Sequence, residues 1–175
     1  ASDILKNDFE ICKAAVKQYC FAIKFINHKI RNQKEIIYES LNQSGYVLKY
    51  LNRNSKKNKT YVKKAVLKNE LSLRYADKSL RNDKKFIVDL FRNEMVGGAY
   101  NFISKNLKMD RKVALMAASS YGNSIKYMNK NFINNKLICL SAIKQYGHAL
   151  KFVSKKLKCN KQLLMTAIKS DPFAL

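Results

Sequence analysis

The chain has 175 residues and a formal net charge of +23, from 35 Lys and Arg against 12 Asp and Glu. Apolar residues make up 47% of it, enough for a hydrophobic core and too many for a disordered chain. One Pro and five Gly supply little turn chemistry for a β-sandwich or barrel, and no apolar run approaches the roughly 18 residues of a membrane span. The four Cys include no CxxC pair, so we expect a mainly helical, cytoplasmic chain without a transmembrane segment.

A polar residue followed by a fixed apolar pattern recurs along the chain. Small or apolar residues stand three, four, seven and eight positions after it, and these offsets lie on one face of an α-helix. Asp and Asn at the first position predict N-caps, which accept hydrogen bonds from the free N–H groups of the first turn. The pattern therefore predicts helices of about ten residues, one after each of Asp8, Gln33, Asn58, Asp83, Asp110, Asn135 and Asn160.

Each predicted helix reaches a break, and a second apolar set follows that predicts a shorter second helix. The breaks fall at Cys20, Gly45, Glu70, Met95, Gly122, Gly147 and Pro172. We interpret the glycines as helix ends that need a positive φ, and Gly97-Gly98 as the accommodation of two extra residues. One helical hairpin cannot bury its own apolar face, so hairpins must stack. The sequence predicts an all-α solenoid with a 25-residue repeat, forming a single domain over 1–175 with about six and a half units, within a longer protein.

Two stretches carry a family resemblance: DRKVALMAASSYGNSIKYMNKNF (110–132) and AIKQYGHALKFVSKKLKCNKQLL (142–164). They resemble a bacterial repeat family catalogued as domain of unknown function 4116, whose units run Asp-x-x-x-Val, Ala-Val, a Gly turn, Ala-Leu-x-Tyr and a charged loop. The resemblance covers nearly the whole chain. It implies a helical repeat array of the kind found in effector proteins that intracellular bacteria deliver into host cells, and hence the host cytosol. It implies no established activity.

Basic residues recur at three positions of the repeat, all at the junction between one unit and the next. The candidate contact edge comprises Lys34, Lys59, Lys84, Arg111, Lys136 and Lys161 one residue after the cap, Lys108 and Lys158 two before it, and Lys105, Lys130 and Lys155 in the loop. Two interpretations remain open: a solvated face, or a docking edge for a polyanion. Past Asp110 the one acid is Asp171, against 12 basic residues, so the C-terminal third is where we expect an anionic partner.

An aromatic residue also recurs once per unit, directly after a basic residue in most units. The set is Phe25, Tyr50, Tyr75, Phe102, Tyr127 and Phe152. Such a ladder suits base stacking, but its spacing also suits the seam between stacked helices, and we favour the seam and hence the core. Cys12 and Cys139 replace aliphatic residues of the apolar pattern and are expected in the core as well.

The residues of catalysis and metal binding show no recognisable arrangement. Neither His28 nor His148 has a nucleophile with an orienting acid nearby in the sequence, Cys and His do not cluster at zinc-ligand spacing, and Gly97-Gly98 lacks a phosphate-loop pattern. We therefore expect no enzyme activity, cofactor or metal. The sequence favours a non-catalytic interaction module that recruits a protein partner. The alternative is binding of nucleic acid or anionic lipid through the basic edge.

Overall fold

The computed structural model describes residues 4–93 and 96–174, apart from the side chain of Asn93. All regular secondary structure in these ranges is helical, as predicted. The chain forms two compact units, residues 1–80 and 81–175. Within each unit successive helices pack side by side as an α-solenoid of repeats. The assignment of one domain to residues 1–175 stays a prediction.

Ten-residue helices, here α1 to α7, form the framework of both units. The first unit contains α1 (Phe9–Gln18), α2 (Lys34–Gln43) and α3 (Lys59–Lys68). The second contains α4 (Lys84–Asn93), α5 (Arg111–Ser120), α6 (Lys136–Gln145) and α7 (Lys161–Ser170). Each begins at the residue after a predicted cap.

The predicted caps act as caps with one exception. Oδ1 of Asp110 accepts from the backbone N–H groups of Lys112 and Val113, at 2.9 and 3.1 Å. The same kind of bond is made by Asp8, Asn58, Asp83, Asn135 and Asn160. Gln33 makes no side-chain cap bond. Its side chain is one methylene longer than that of Asn, so its amide does not reach the first turn in the same compact ring.

The prediction of one shorter second helix in each unit is wrong, because that stretch divides in two. A six-residue 3₁₀ helix comes first, with bounds Cys20–Phe25, Gly45–Tyr50, Glu70–Tyr75, Gly97–Phe102, Gly122–Tyr127 and Gly147–Phe152. A short helix follows, with bounds His28–Arg31, Arg53–Lys57, Lys78–Arg81, Leu107–Met109 (3₁₀), Lys130–Ile133 and Lys155–Lys158; a further 3₁₀ turn, Leu5–Asn7, precedes α1.

A buried residue in extended conformation separates the 3₁₀ helix from the short helix. Ile26 has φ −73° and ψ 145°, and its side chain packs in the core. The next residue, Asn27, accepts from the N–H of Lys29 and starts the short helix. The helix is interrupted here because the apolar residue turns into the core. The periodicity of the sequence does not reveal this interruption.

Backbone hydrogen bonds join successive repeats at this same corner. The N–H of Asp77 donates to the carbonyl of Lys56 at 3.0 Å, and that of Ser154 to the carbonyl of Ile133 at 3.1 Å. Asn27 bonds to Lys6 in the same way, and Ser104 to Arg81. These bonds fix the register of neighbouring repeats by satisfying carbonyls at the ends of the short helices.

The glycines are required by close approach, not by a positive φ. No described residue has a positive φ, so the predicted left-handed helix ends are wrong. A Cβ on Gly45 would lie 2.0 Å from the carbonyl oxygen of Ala65, and one on Gly122 would lie 2.2 Å from that of Ala142. Gly97 opens its 3₁₀ helix in the same manner, whereas the predicted break at Met95 lies outside the described residues.

The apolar stripe of the long helices forms the core, as predicted. In α6, Ile138, Cys139, Ala142 and Ile143 are fully buried, and α2 and α5 bury the same four positions. Cys12 and Cys139 are core residues, which confirms their interpretation, and burial raises the pKa of the Cys139 thiol to about 11.

Candidate functional site

In every long helix except α1, which begins with Phe9, the first residue after the cap is basic and exposed. These residues are Lys34, Lys59, Lys84, Arg111, Lys136 and Lys161. In the second unit, Nζ of Lys84 lies 2.6 Å from Oδ2 of Asp110, the cap of the next long helix. The bond to Lys84 is the main cause that holds the pKa of Asp110 below its usual value. An Asp cap therefore neutralises the cation of the repeat before it.

An Asn cap at the same place leaves that cation without a counter-charge. The caps that follow Arg111 and Lys136 are Asn135 and Asn160, which hold their helices but carry no charge. Between Arg111 and Ala174, all of them described, the one carboxylate side chain is Asp171. The exposed cations of α5 and α6 therefore have no acidic cap beside them.

The predicted loop cations are exposed, and all except Lys105, which lies in the turn before Leu107–Met109, are the first residue of a short helix. This set contains Arg53, Lys78, Lys105, Lys130 and Lys155. Arg53 Nε lies 3.3 Å from Oδ2 of Asp77 in the next repeat. The pKa of Asp77 falls to about 2, chiefly because its carboxylate accepts the backbone and side-chain bonds of Ser79, with Arg53 adding to the effect. Opposite Lys130 the equivalent residue is the uncharged Ser154.

The third predicted row, two residues before the cap, turns largely inward. Arg31 donates to the carbonyls of Ile26 and Lys24, and Lys56 Nζ donates to the carbonyl of Lys49 at 2.8 Å. Burial lowers the pKa of both Lys56 and Lys108. Lys108 is thus the half-buried member of the candidate edge, whereas Lys158 is exposed. Arg31 and Lys56 thus close the ends of their own 3₁₀ helices, and Arg81 reaches the carbonyl of Phe102 in the next repeat.

The aromatic ladder is not core, and that interpretation is wrong. Phe25 is 63% exposed, and the other five rings are half-buried. A cation from the preceding position lies over each of five rings, at 4.5 Å for Lys24 on Phe25 and 4.8 Å for Lys126 on Tyr127. The equivalent pairs are Lys49–Tyr50, Arg74–Tyr75 and Lys151–Phe152. Each such contact contributes about 0.5–1 kcal/mol at an exposed site.

Each unit also has an open groove with a mixed-charge lining. The groove of the first unit has a volume of about 490 Å³ and is lined by Arg53, Lys56, Tyr75, Ala76, Asp77 and Lys78. That of the second has about 410 Å³ and is lined by Lys84, Lys85, Val88, Asp89, Arg92 and Lys112. Both place a carboxylate among the cations, so neither is a purely anion-binding cleft.

A contact between His148 and Asp171 was also not anticipated from the sequence. His148 Nε2 lies 2.9 Å from Oδ2 of Asp171, and the other oxygen of Asp171 caps the turn at Phe173. These residues are 23 positions apart, the separation that also brings Gln145 to the N–H of Gly122. The contact arises from stacking one repeat on the next, and no local motif signals it.

Two further findings concern the described ranges as a whole. No three His, Cys, Asp or Glu side chains come together there in a group able to hold a metal ion. No helix in those ranges has both the length and the apolar character needed to span a membrane.

Short stacked helices with a charged rim define an α-helical repeat protein. The family described as domain of unknown function (DUF4116) matches residues 1–30, 8–54, 58–94, 92–133 and 135–175. The chain belongs to this family. The comparisons with curated proteins and with solved structures returned no match.

Proposed function

We propose that this chain is a non-catalytic interaction module that recruits an acidic protein through the exposed cations that follow Asp110. The observation that carries the proposal is the charge balance of residues 111–175, with 12 basic residues and one acid. That acid, Asp171, is already in contact with His148. A partner with acidic side chains would supply the counter-charges that the Asn caps do not.

The placement of the cations also supports a recruiting role. Arg111, Lys136 and Lys161 each occupy the first position of a helix, where a positive charge opposes the helix dipole by about 0.3–1 kcal/mol. A positive charge at that position does not stabilise its own helix. Complementary charge across an interface mainly raises the association rate and selects the partner, which is the function of a docking module.

Binding of RNA, DNA or anionic lipid is the second candidate. The observation in its favour is the half-exposed aromatic residue beside a cation in five described repeats, because bases stack on such rings. A cation of the chain itself, however, already lies over one face of each of these five rings, where it competes with a stacking base. Lys also outnumbers Arg by 29 to 6, whereas forked Arg contacts are usual in base recognition. Both features favour an acidic protein over a nucleic acid.

The experiment compares three acidic probes at several salt concentrations. The probes are a 20-residue polyglutamate peptide, a single-stranded RNA of 20 nucleotides, and vesicles of phosphatidylcholine with phosphatidylserine. We expect the peptide to bind at least as tightly as the RNA, with an affinity that falls as salt rises. An RNA affinity at least tenfold higher, with a log–log salt slope near −3 for about four phosphate contacts, would instead establish the second candidate.

Matched Lys-to-Gln variants locate the binding surface. One variant changes Lys130, Lys136, Lys155 and Lys158, which are exposed in the second unit. The control makes the same charge change in the first unit, at Lys29, Lys57, Lys63 and Lys68, which are also exposed. We expect the first variant alone to lose most of its peptide affinity. Equal losses in both variants would mean that net charge, not the C-terminal surface, controls binding, and the proposal would be rejected.

A further inference from the structure

Equivalent positions of successive repeats lie side by side in the second unit. Each glycine that opens a 3₁₀ helix approaches the carbonyl twenty residues on: Gly97 that of Ala117, Gly122 that of Ala142 and Gly147 that of Ala167. The same step therefore relates each repeat to the next. The helices α5, α6 and α7 pack against their neighbours, and packed helices have axes about 8–10 Å apart. Their first residues, Arg111, Lys136 and Lys161, thus form a row of exposed cations with a step of about 8–10 Å, here called the cap row.

Two large apolar side chains lie exposed next to members of the cap row in the sequence. Met109, directly before the cap Asp110, is 60% exposed, and Leu137, directly after Lys136, is 50% exposed. In the first unit the residues at these two positions of the repeat are all polar, and Glu10 and Glu35 among them are acidic. The edge of the second unit therefore combines cations with apolar side chains where the first unit has acids.

This combination indicates what a partner must offer. A partner that supplied negative charge alone would leave Met109 and Leu137 in water, where they contribute nothing to binding. Carboxylates and apolar side chains on one face would satisfy both parts of the surface. An amphipathic segment of an acidic protein has such a face.

The step of the cap row selects the conformation of that segment. In an α-helix seven residues advance about 10.5 Å and return to the same face, close to the step of the row, and a residue three positions after each acid shares that face. In a β-strand the residues of one face recur at about 6.6 Å and 13 Å, and neither matches. A polyproline helix repeats after about 9.3 Å, but its one facing side chain per turn would be the acid, so none would cover Met109 or Leu137.

We propose that the acidic partner presents an amphipathic α-helix, which lies across the beginnings of α5, α6 and α7. Its carboxylates, seven residues apart, pair with Arg111, Lys136 and Lys161, and the apolar side chains between them cover Met109 and Leu137. This inference rests on the proposed function and adds the form of the partner to it.

The test compares two 21-residue peptides of identical composition. The heptad peptide has Glu at every seventh residue, Leu three residues after each Glu, and Ala and Gln elsewhere. The permuted peptide has its Glu and Leu at five-residue intervals, which turn by about 140° per step and spread both residue types around the helix. Circular dichroism verifies equal helicity. In salt near 50 mM, where screening is weak, we expect the heptad peptide to bind the 175-residue chain about tenfold more tightly.

The outcomes separate this inference from the proposed function. Equal affinities for the heptad and permuted peptides, both falling as salt rises, would overturn the helical partner and leave recruitment of an acidic protein standing. Tighter binding of a peptide of Glu-Pro-Pro repeats would overturn the helical partner as well. If neither of the 21-residue peptides nor polyglutamate binds, the proposed function itself fails.

The apolar contact has its own variant. Met109→Gln with Leu137→Gln should bind the heptad peptide about fivefold more weakly and polyglutamate as before, because only the heptad peptide brings leucines to this edge. Both residues are exposed, so the variant is expected to fold. Leu67→Gln, at a 43% exposed site in the first unit, is the matched control and should bind normally. An unchanged affinity for the heptad peptide would overturn the proposed contact.

Discussion

The first unit and the stretch from Arg111 onward share one repeat but balance charge differently. Residues 1–80 contain 17 basic and 7 acidic residues, whereas residues 111–175 contain 12 and 1. Part of the difference lies at the caps. Asp and Asn cap a helix about equally well, so the helix does not decide between them. Only Asp, however, neutralises the cation of the repeat before it, as Asp110 does for Lys84. The surface charge can therefore change while the fold stays the same.

Packing, in contrast, constrains the two units alike. Gly45 in the first and Gly122 in the second both lie under a backbone carbonyl of the next long helix. The comparison therefore predicts that substitutions of the closely packed glycines lower the stability of both units. Substitutions that change the charge at the caps should instead change binding in the second unit alone.

The largest effect is expected from the glycines. Gly45→Ala and Gly122→Ala each place a Cβ about 2 Å from a carbonyl oxygen, so each should lower the free energy of unfolding by roughly 3 kcal/mol. Gly147→Ala is the control: its nearest contact is 2.9 Å, and we expect about 1 kcal/mol. Urea denaturation measures all three. Losses confined to one unit would show that the close approach is not a shared constraint.

The next effect concerns binding. The double variant Asn135→Asp, Asn160→Asp keeps both caps and adds a carboxylate beside Arg111 and beside Lys136, by analogy with Lys84 and Asp110. We expect affinity for the polyglutamate peptide to fall about fivefold with stability unchanged. Asn58→Asp in the first unit is the control and should bind normally. An unchanged affinity in the double variant would separate these cations from the binding surface.

A smaller effect is expected from the caps themselves, with opposite signs in the two units. Asn135→Ala removes the bond to the N–H of Ile138 and should cost about 1 kcal/mol. Gln33→Asn in the first unit should stabilise by up to about 1 kcal/mol, because Gln33 makes no cap bond. Thermal unfolding measures both. A destabilised Gln33→Asn variant would show that this cap position tolerates only the longer side chain.

The smallest effect is the pH dependence of the two carboxylates that pair with a cation of the preceding repeat, Asp77 and Asp110. The folded pKa of Asp77 is about 2, below its ordinary 3.8, so its contribution to stability is present above pH 3.8 and is lost as the pH falls towards 2. Asp77→Asn should therefore flatten the acid limb of the stability curve. In the second unit Asp110→Asn should do likewise, since Lys84 lowers the pKa of Asp110. Urea denaturation between pH 2 and pH 6 measures both, and an acid limb as steep as that of the wild type would exclude these carboxylates as its cause.

Much of the local structure could be read from the sequence because it depends on neighbours along the chain. An Asp or Asn side chain bonds the N–H groups two or three residues further on, so the start of each long helix except α2 coincides with a working cap. The same periodicity correctly placed Ile138 and Cys139 in the core. The reason for the glycines did not follow, since the atom that excludes a side chain at Gly45 belongs to Ala65, twenty residues away.

The sequence by itself determined the long helices, their caps and the stripe that each buries, because these follow from bonds and contacts within a few residues. Only the tertiary structure decided which cations remain available. Lys84 lies beside Asp110 and Arg53 beside Asp77, each in the next repeat, whereas Lys136, which also follows a cap, has no acidic cap beside it. The charge of a side chain is a local property, but its neutralisation depends on the group that the next repeat places beside it.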